Sequence, residues 1–178
     1  KDGLIFSIDE NNLYGHSMSS LLPYGDMTIH DMHSTRCKQV LESFNRVSKD
    51  PVLHSYYSKR ASHGDGSGQI PNDPYNFEGF VKCHLHFTPA QKQKMQHFPP
   101  LPQKRVIQAS EFSPFMKTKQ SLLQTQYNIV KTKSAKMVYD VEDKHEYCIY
   151  SVMLKFLLEH DMVTLDAVYE CVEMRVGY

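Results

Sequence analysis

Leu4-Ile5-Phe6-Ser7-Ile8-Asp9-Glu10-Asn11-Asn12-Leu13-Tyr14-Gly15 is the stretch on which the reading of this chain turns. Leu4 to Ile8 is a nearly unbroken apolar run, the length of a strand buried on both faces. The run stops at two acids and two asparagines. Leu13, Tyr14, Met18, Leu21 and Leu22 then follow helical spacing until Pro23 ends the segment. A buried strand that carries a carboxylate to its C-terminal end, with a helix start just beyond, has two uses. Asp or Asn before a helix caps its open N–H groups. The carboxylate can instead hold a hard divalent cation while those N–H groups face an anion. Spacing alone leaves both open.

The 178 residues suffice for one ordinary domain or one and a half small ones, and 40% apolar residues allow a sizeable core. Lys+Arg and Asp+Glu both number 20, so net charge points to no partner. Its distribution does. Lys82, Lys92, Lys94, Lys104, Arg105, Lys117, Lys119, Lys131, Lys133 and Lys136 stand against Glu111 alone, giving that segment +9 and the remainder −9. Such a middle either follows a phosphate backbone or is a solvated face. Cys37, Cys83, Cys148 and Cys171 are far apart without a C-x-x-C pair, which reads as free thiols in a reducing compartment. The apolar runs fall short of a membrane span. The chain opens inside a strand without a Met or a targeting segment, so we expect an intracellular excerpt of a longer protein.

Further along, Pro23-Tyr24-Gly25 reads as a turn, and Asp31 to Arg46 as an amphipathic helix burying Cys37, Val40, Leu41 and Phe44. His30 and His33, near its start, read as surface histidines. Ala61 to Pro74 is a Gly-rich flexible loop, not a phosphate cradle, since no strand leads into it. Phe80 to Phe87 alternates as a strand, with Cys83, Leu85 and Phe87 on one side and Lys82, His84 and His86 on the other. Met95 to Pro102 is a stiff proline-rich connector, and Gln108 to Gln126 is weakly helical. Asp143 and Glu146 have capping-box spacing, predicting a helix whose stripe is Tyr147, Tyr150, Met153, Leu154, Leu157 and Leu158. Met162 to Val176 looks extended with mixed parity.

The wording of the first stretch adds to its spacing. Asp9-Glu10-Asn11-Asn12-Leu13-Tyr14-Gly15, followed by Met18 and Leu22-Pro23-Tyr24-Gly25, resembles palm motif A of family B DNA polymerases. It is most similar in form to the protein-primed branch of viruses, linear plasmids and self-synthesising transposons. The family form is D-x-x-S-L-Y-P; here Asn12 replaces the Ser and Gly15 the Pro. Gly79 to Pro89 with His97 to Pro102, and Asp143 to Glu170, resemble the family's stretches after motif A and before motif B, except that His84 and His86 stand where the family has acids.

The resemblance implies an α+β fold: a polymerase palm strand–helix fragment followed by a mixed α/β insertion. Its divisions are 1–30 for the palm strand and helix, 31–78 for a helical segment and the Gly-rich loop, and 79–178 for the insertion and the region before the fingers. Strands near Phe80 and Val168 would be packed by the helix after Asp143. Asp9 would be catalytic and would hold Mg2+ together with the backbone carbonyl of Glu10. Asn11, Asn12, Leu13 and Tyr14 would face a deoxynucleoside triphosphate, Tyr14 excluding a 2′-hydroxyl. Lys92, Lys94, Lys104, Arg105, Lys117, Lys119, Lys131 and Lys133 would contact primer–template DNA, beside a terminal priming protein. The family's second metal carboxylate (Y-x-D-T-D) and fingers lysine (K-x-x-x-N-S-x-Y-G) are missing from these residues. One carboxylate cannot order two cations, so the expectation is a DNA-directed DNA polymerase fragment that is inactive alone. The alternative is a degenerate, non-catalytic remnant that binds DNA or protein.

Overall fold

The computed structural model describes residues 22–53, 55, 74–129 and 134–177. Asp9, Glu10, Asn11, Asn12, Leu13 and Tyr14 lie outside the described residues, as do the Gly-rich loop up to Asp73, Lys131 and Lys133.

In chain order the elements are β1 (Leu22–Asp31), α1 (Thr35–Lys49), β2 (Gly79–His86), α2 (Pro89–Met95), β3 (Pro102–Arg105), α3 (Pro114–Tyr127), β4 (Lys136–Tyr139), β5 (Lys144–Tyr150), α4 (Ser151–Glu159) and β6 (Thr164–Gly177). The fold is α+β. It divides into two compact units: one runs through Leu85 and resumes at His145, and the other is His86–Lys144, the chain between β2 and β5.

The first unit is a four-stranded sheet in the order β1-β6-β2-β5, with β1 antiparallel to β6. α1 packs on β6 and against α4. α1 starts where Ser34 accepts a bond from the Cys37 N–H at 3.2 Å, and it buries Cys37, Val40, Ser43, Phe44 and Val47. The helix thus begins four residues later than the periodicity suggests, because Asp31 still belongs to β1. In β2, Val81, Cys83 and Leu85 are buried while Lys82, His84 and His86 are half-exposed, as the alternation predicts. Gly79 has φ +141°, and a Cβ there would stand 1.9 Å from the carbonyl oxygen of Val172 on β6. Only glycine permits that close approach.

Two local expectations are corrected. Pro23-Tyr24-Gly25 is no turn between elements: it lies within β1, whose register shifts between Tyr24 and Thr28 around Gly25 (φ +52°) and Asp26 (φ +46°). This is a bulge, which re-aims an edge strand without ending it. The helix after Asp143 begins only at Ser151. Lys144–Tyr150 is strand β5, because Tyr147, Ile149 and Tyr150 suit a sheet and β2 offers a neighbour to pair with. No capping box forms there. Glu146 sits at φ +48° and pairs with Lys82 at 3.0 Å, while Asp143 accepts the Phe87 N–H at 3.1 Å. The stripe survives in part: Leu154, Leu157 and Leu158 are buried, Met153 is exposed. β6 confirms the extended reading from Met162, its burial passing from Leu165 to Val168 and Cys171.

The second unit carries an antiparallel two-stranded ribbon of β3 and β4 together with α2 and α3. Thr88, which ends β2 as expected, also caps α2 in a capping box with Gln91.

Candidate nucleic-acid interface

Cross-strand pairs in an antiparallel ribbon share a face, and faces alternate along each strand. β3 and β4 pair Pro102 with Tyr139, Gln103 with Val138, Lys104 with Met137 and Arg105 with Lys136. One face therefore carries Lys104, Met137 and Tyr139, and it is open to solvent: Met137 is 61% and Tyr139 62% exposed. The other carries Gln103 and Arg105, and both reach Asp140, just beyond β4.

Asp140 is the centre of that second face. It accepts Gln103 Nε2 at 3.0 Å and Arg105 Nε at 3.0 Å. It also bonds Lys144 Nζ through a carboxylate oxygen, and its main-chain oxygen takes the same ammonium at 3.2 Å. Lys144 is fully enclosed, with 0% of its side chain exposed. Burial opposes a charge on Asp140, but the bonds from Lys144, Gln103 and Arg105 outweigh it and hold the carboxyl at about 2. Glu111 closes the set: Arg105 and the Gln108 N–H hold its carboxyl below the usual range. Arg105 is thereby spent on Glu111 and Asp140, and its pKa is raised by those two partners.

Of the lysines expected to contact DNA, five are described, and they stand on three different elements. Lys92, in α2, stands 3.7 Å from Glu142. Lys94 is exposed on the same helix, and Lys104 is on the open ribbon face. Lys117 and Lys119 lie on α3, two residues apart and so pointing in different directions. Lys119 reaches over the Phe115 ring at 5.9 Å. Lys117 lines a groove of about 480 Å³ with Ala109, Phe112, Gln120, Leu123 and Ile129. No residue of α3 is buried, and Phe115 is 70% exposed. Spacing alone missed the exposed aromatics Phe115 and Tyr139; for Phe115 the signal was its place inside the basic segment, while Tyr139 lies just beyond it.

The histidines on the sheet take local partners. His30 Nε2 lies 3.3 Å from Glu173, which also pairs with Arg36, so His30 is not a plain surface residue. His86 Nδ1 is 2.9 Å from Asp143, and the rings of His84 and His145 stand 4.2 Å apart edge to face. Among the described residues no three His, Cys, Asp or Glu side chains gather closely enough to hold a metal ion. Among them, too, no helix is long and apolar enough to cross a membrane.

Comparison with protein-family models, with curated proteins and with solved structures finds no match.

Proposed function

We propose that the chain belongs to a nucleotidyltransferase, and more narrowly that it is the motif A-bearing part of a protein-primed DNA polymerase. The observation that carries this reading is Asp9-Glu10-Asn11-Asn12-Leu13-Tyr14-Gly15 directly after the apolar run Leu4 to Ile8. In this reading Asp9 and the main-chain carbonyl of Glu10 hold magnesium, whose contribution when bound is to neutralise charge on the attacking and leaving oxygens. Backbone N–H groups from Asn11 to Tyr14 face the triphosphate, and the Tyr14 ring closes the space a 2′-hydroxyl would need.

The second unit supports the reading through chemistry suited to single- or double-stranded nucleic acid. Lys104 shares the open ribbon face with the exposed Tyr139 ring, and Lys119 lies over the exposed Phe115 ring; cation beside ring is the combination that follows phosphates and stacks on bases. Arg105 has no share in this role, since its guanidinium is held by Glu111 and Asp140.

The test is Asp9→Asn in the longest available gene product that contains this chain. Primer extension should fall at least about a hundredfold, and retained extension would remove Asp9 from the reaction. The 178 residues by themselves should extend no primer. A non-catalytic remnant that only binds DNA would instead show no extension in either form while keeping a salt-dependent affinity.

A further inference from the structure

Two of the four thiols meet in the core of the first unit. Cys37, on α1, and Cys171, on β6, place their Sγ atoms 3.3 Å apart. They are 1% and 0% exposed. Cys37 Sγ also donates to the His30 main-chain oxygen at 3.3 Å, and His30 is the β1 partner of Cys171 in the sheet register. The sulfurs are thus fixed from three elements, and to bond they need approach only to the disulfide length of about 2.05 Å. The other thiols are placed differently: Cys83 bonds the Tyr147 main-chain oxygen at 3.6 Å, and Cys148 is exposed.

We propose that Cys37 and Cys171 are a two-electron redox site, forming a reversible disulfide with a hydroperoxide as oxidant and so fastening α1 to β6. One thiol attacks a peroxide oxygen. The O–O bond breaks, a sulfenic acid forms, and water leaves with the thiol proton when the oxidant is hydrogen peroxide. The second thiol attacks that sulfur, the S–O bond breaks, and a second water leaves with the second proton. Each sulfur loses one electron and each peroxide oxygen gains one. Burial raises the Cys171 thiol above its ordinary range while the nearby Arg36 guanidinium works the other way. The reaction is therefore slow in the folded chain. The cross-link spans 134 positions of sequence, so it constrains most of the chain.

The experiment uses the full chain carrying Cys148→Ser, which removes the exposed thiol, treated with hydrogen peroxide and then alkylated. Before alkylation the intact mass should fall by about 2 Da relative to the untreated chain and recover with dithiothreitol. Peptide mapping should join the segments containing Cys37 and Cys171. The unfolding midpoint should rise by at least about 5 °C on oxidation. Adding Cys37→Ser or Cys171→Ala should abolish both changes, and the mapping of the parent chain stands even if a variant folds poorly. An unchanged mass, a gain of oxygen without a cross-link, or a link through Cys83 would overturn the proposal.

Discussion

Replacing Asp140 by Asn keeps the shape of the hub that joins the ribbon to Lys144 but removes its charge. Lys144 would then keep a fully enclosed ammonium with only neutral acceptors, the Asn oxygen and the main-chain oxygen at 3.2 Å. Leaving one member of a buried ion pair without its counter-charge costs about 3–5 kcal/mol. Two features place this case at the low end: an acceptor survives for the ammonium, and Arg105 keeps Glu111. We expect a loss of about 3 kcal/mol, a large share of the roughly 5–15 kcal/mol that holds a domain together. The readout is urea unfolding followed by far-ultraviolet circular dichroism. Amide exchange at Gln103, Arg105 and Val138 assigns the loss to the ribbon. Pairing Asp140→Asn with Lys144→Met should restore most of the stability, since an apolar side chain in that enclosure leaves no charge unpaired. A loss under about 1 kcal/mol, or no rescue by the double change, would refute the view that Asp140 exists to neutralise Lys144.

Acid should expose the same hub. A carboxyl held at about 2, below its ordinary 3.8, stabilises the fold above pH 4 and loses that contribution as pH falls toward 2. Screened by solvent, it is worth about 1–2 kcal/mol, and the Asp140→Asn chain should lack that part of the acid slope. Gly79→Ala should prevent the close packing of β2 on β6 at Val172 and leave little folded chain, checked by soluble yield and thermal unfolding. Ser34→Ala removes the cap of α1 and the hydroxyl bond to the Asp31 carbonyl at 2.6 Å, for a loss of about 1 kcal/mol in urea unfolding. Lys104→Glu should weaken DNA binding and lower the slope of log affinity against log salt by about 1. An unchanged slope would take the open ribbon face out of the interface.

Much of the first unit was legible in the sequence because single residues there obey one period. The alternation of Val81, Cys83 and Leu85 and the α1 face of Cys37, Val40 and Phe44 each match one template. β5 did not, since Tyr147, Tyr150 and Leu154 fit a helical stripe while the first two fit a strand as well. Proximity to β2 decided, and a contact across 64 residues, such as that of Cys83 with Tyr147, is invisible to local spacing. The basic segment misled for a related reason. Its count ends at Lys136, just short of Asp140 and Glu142, the acids that engage Arg105 and Lys92. The cations that remain on open surface are therefore fewer than the sequence advertises, and the aromatics beside them came from the structure.

α3 carries one last consequence. A 14-residue helix with no enclosed side chain draws little support from its own unit, and helices of that length are marginal in water unless something rests against them. Whatever settles on Phe115 and Lys119 must therefore first find, or itself complete, the wound state. If that state were occupied about a tenth of the time, the measured affinity would be tenfold weaker than the contacts themselves allow. Stiffening this segment, with no new contact made, would then strengthen its grip.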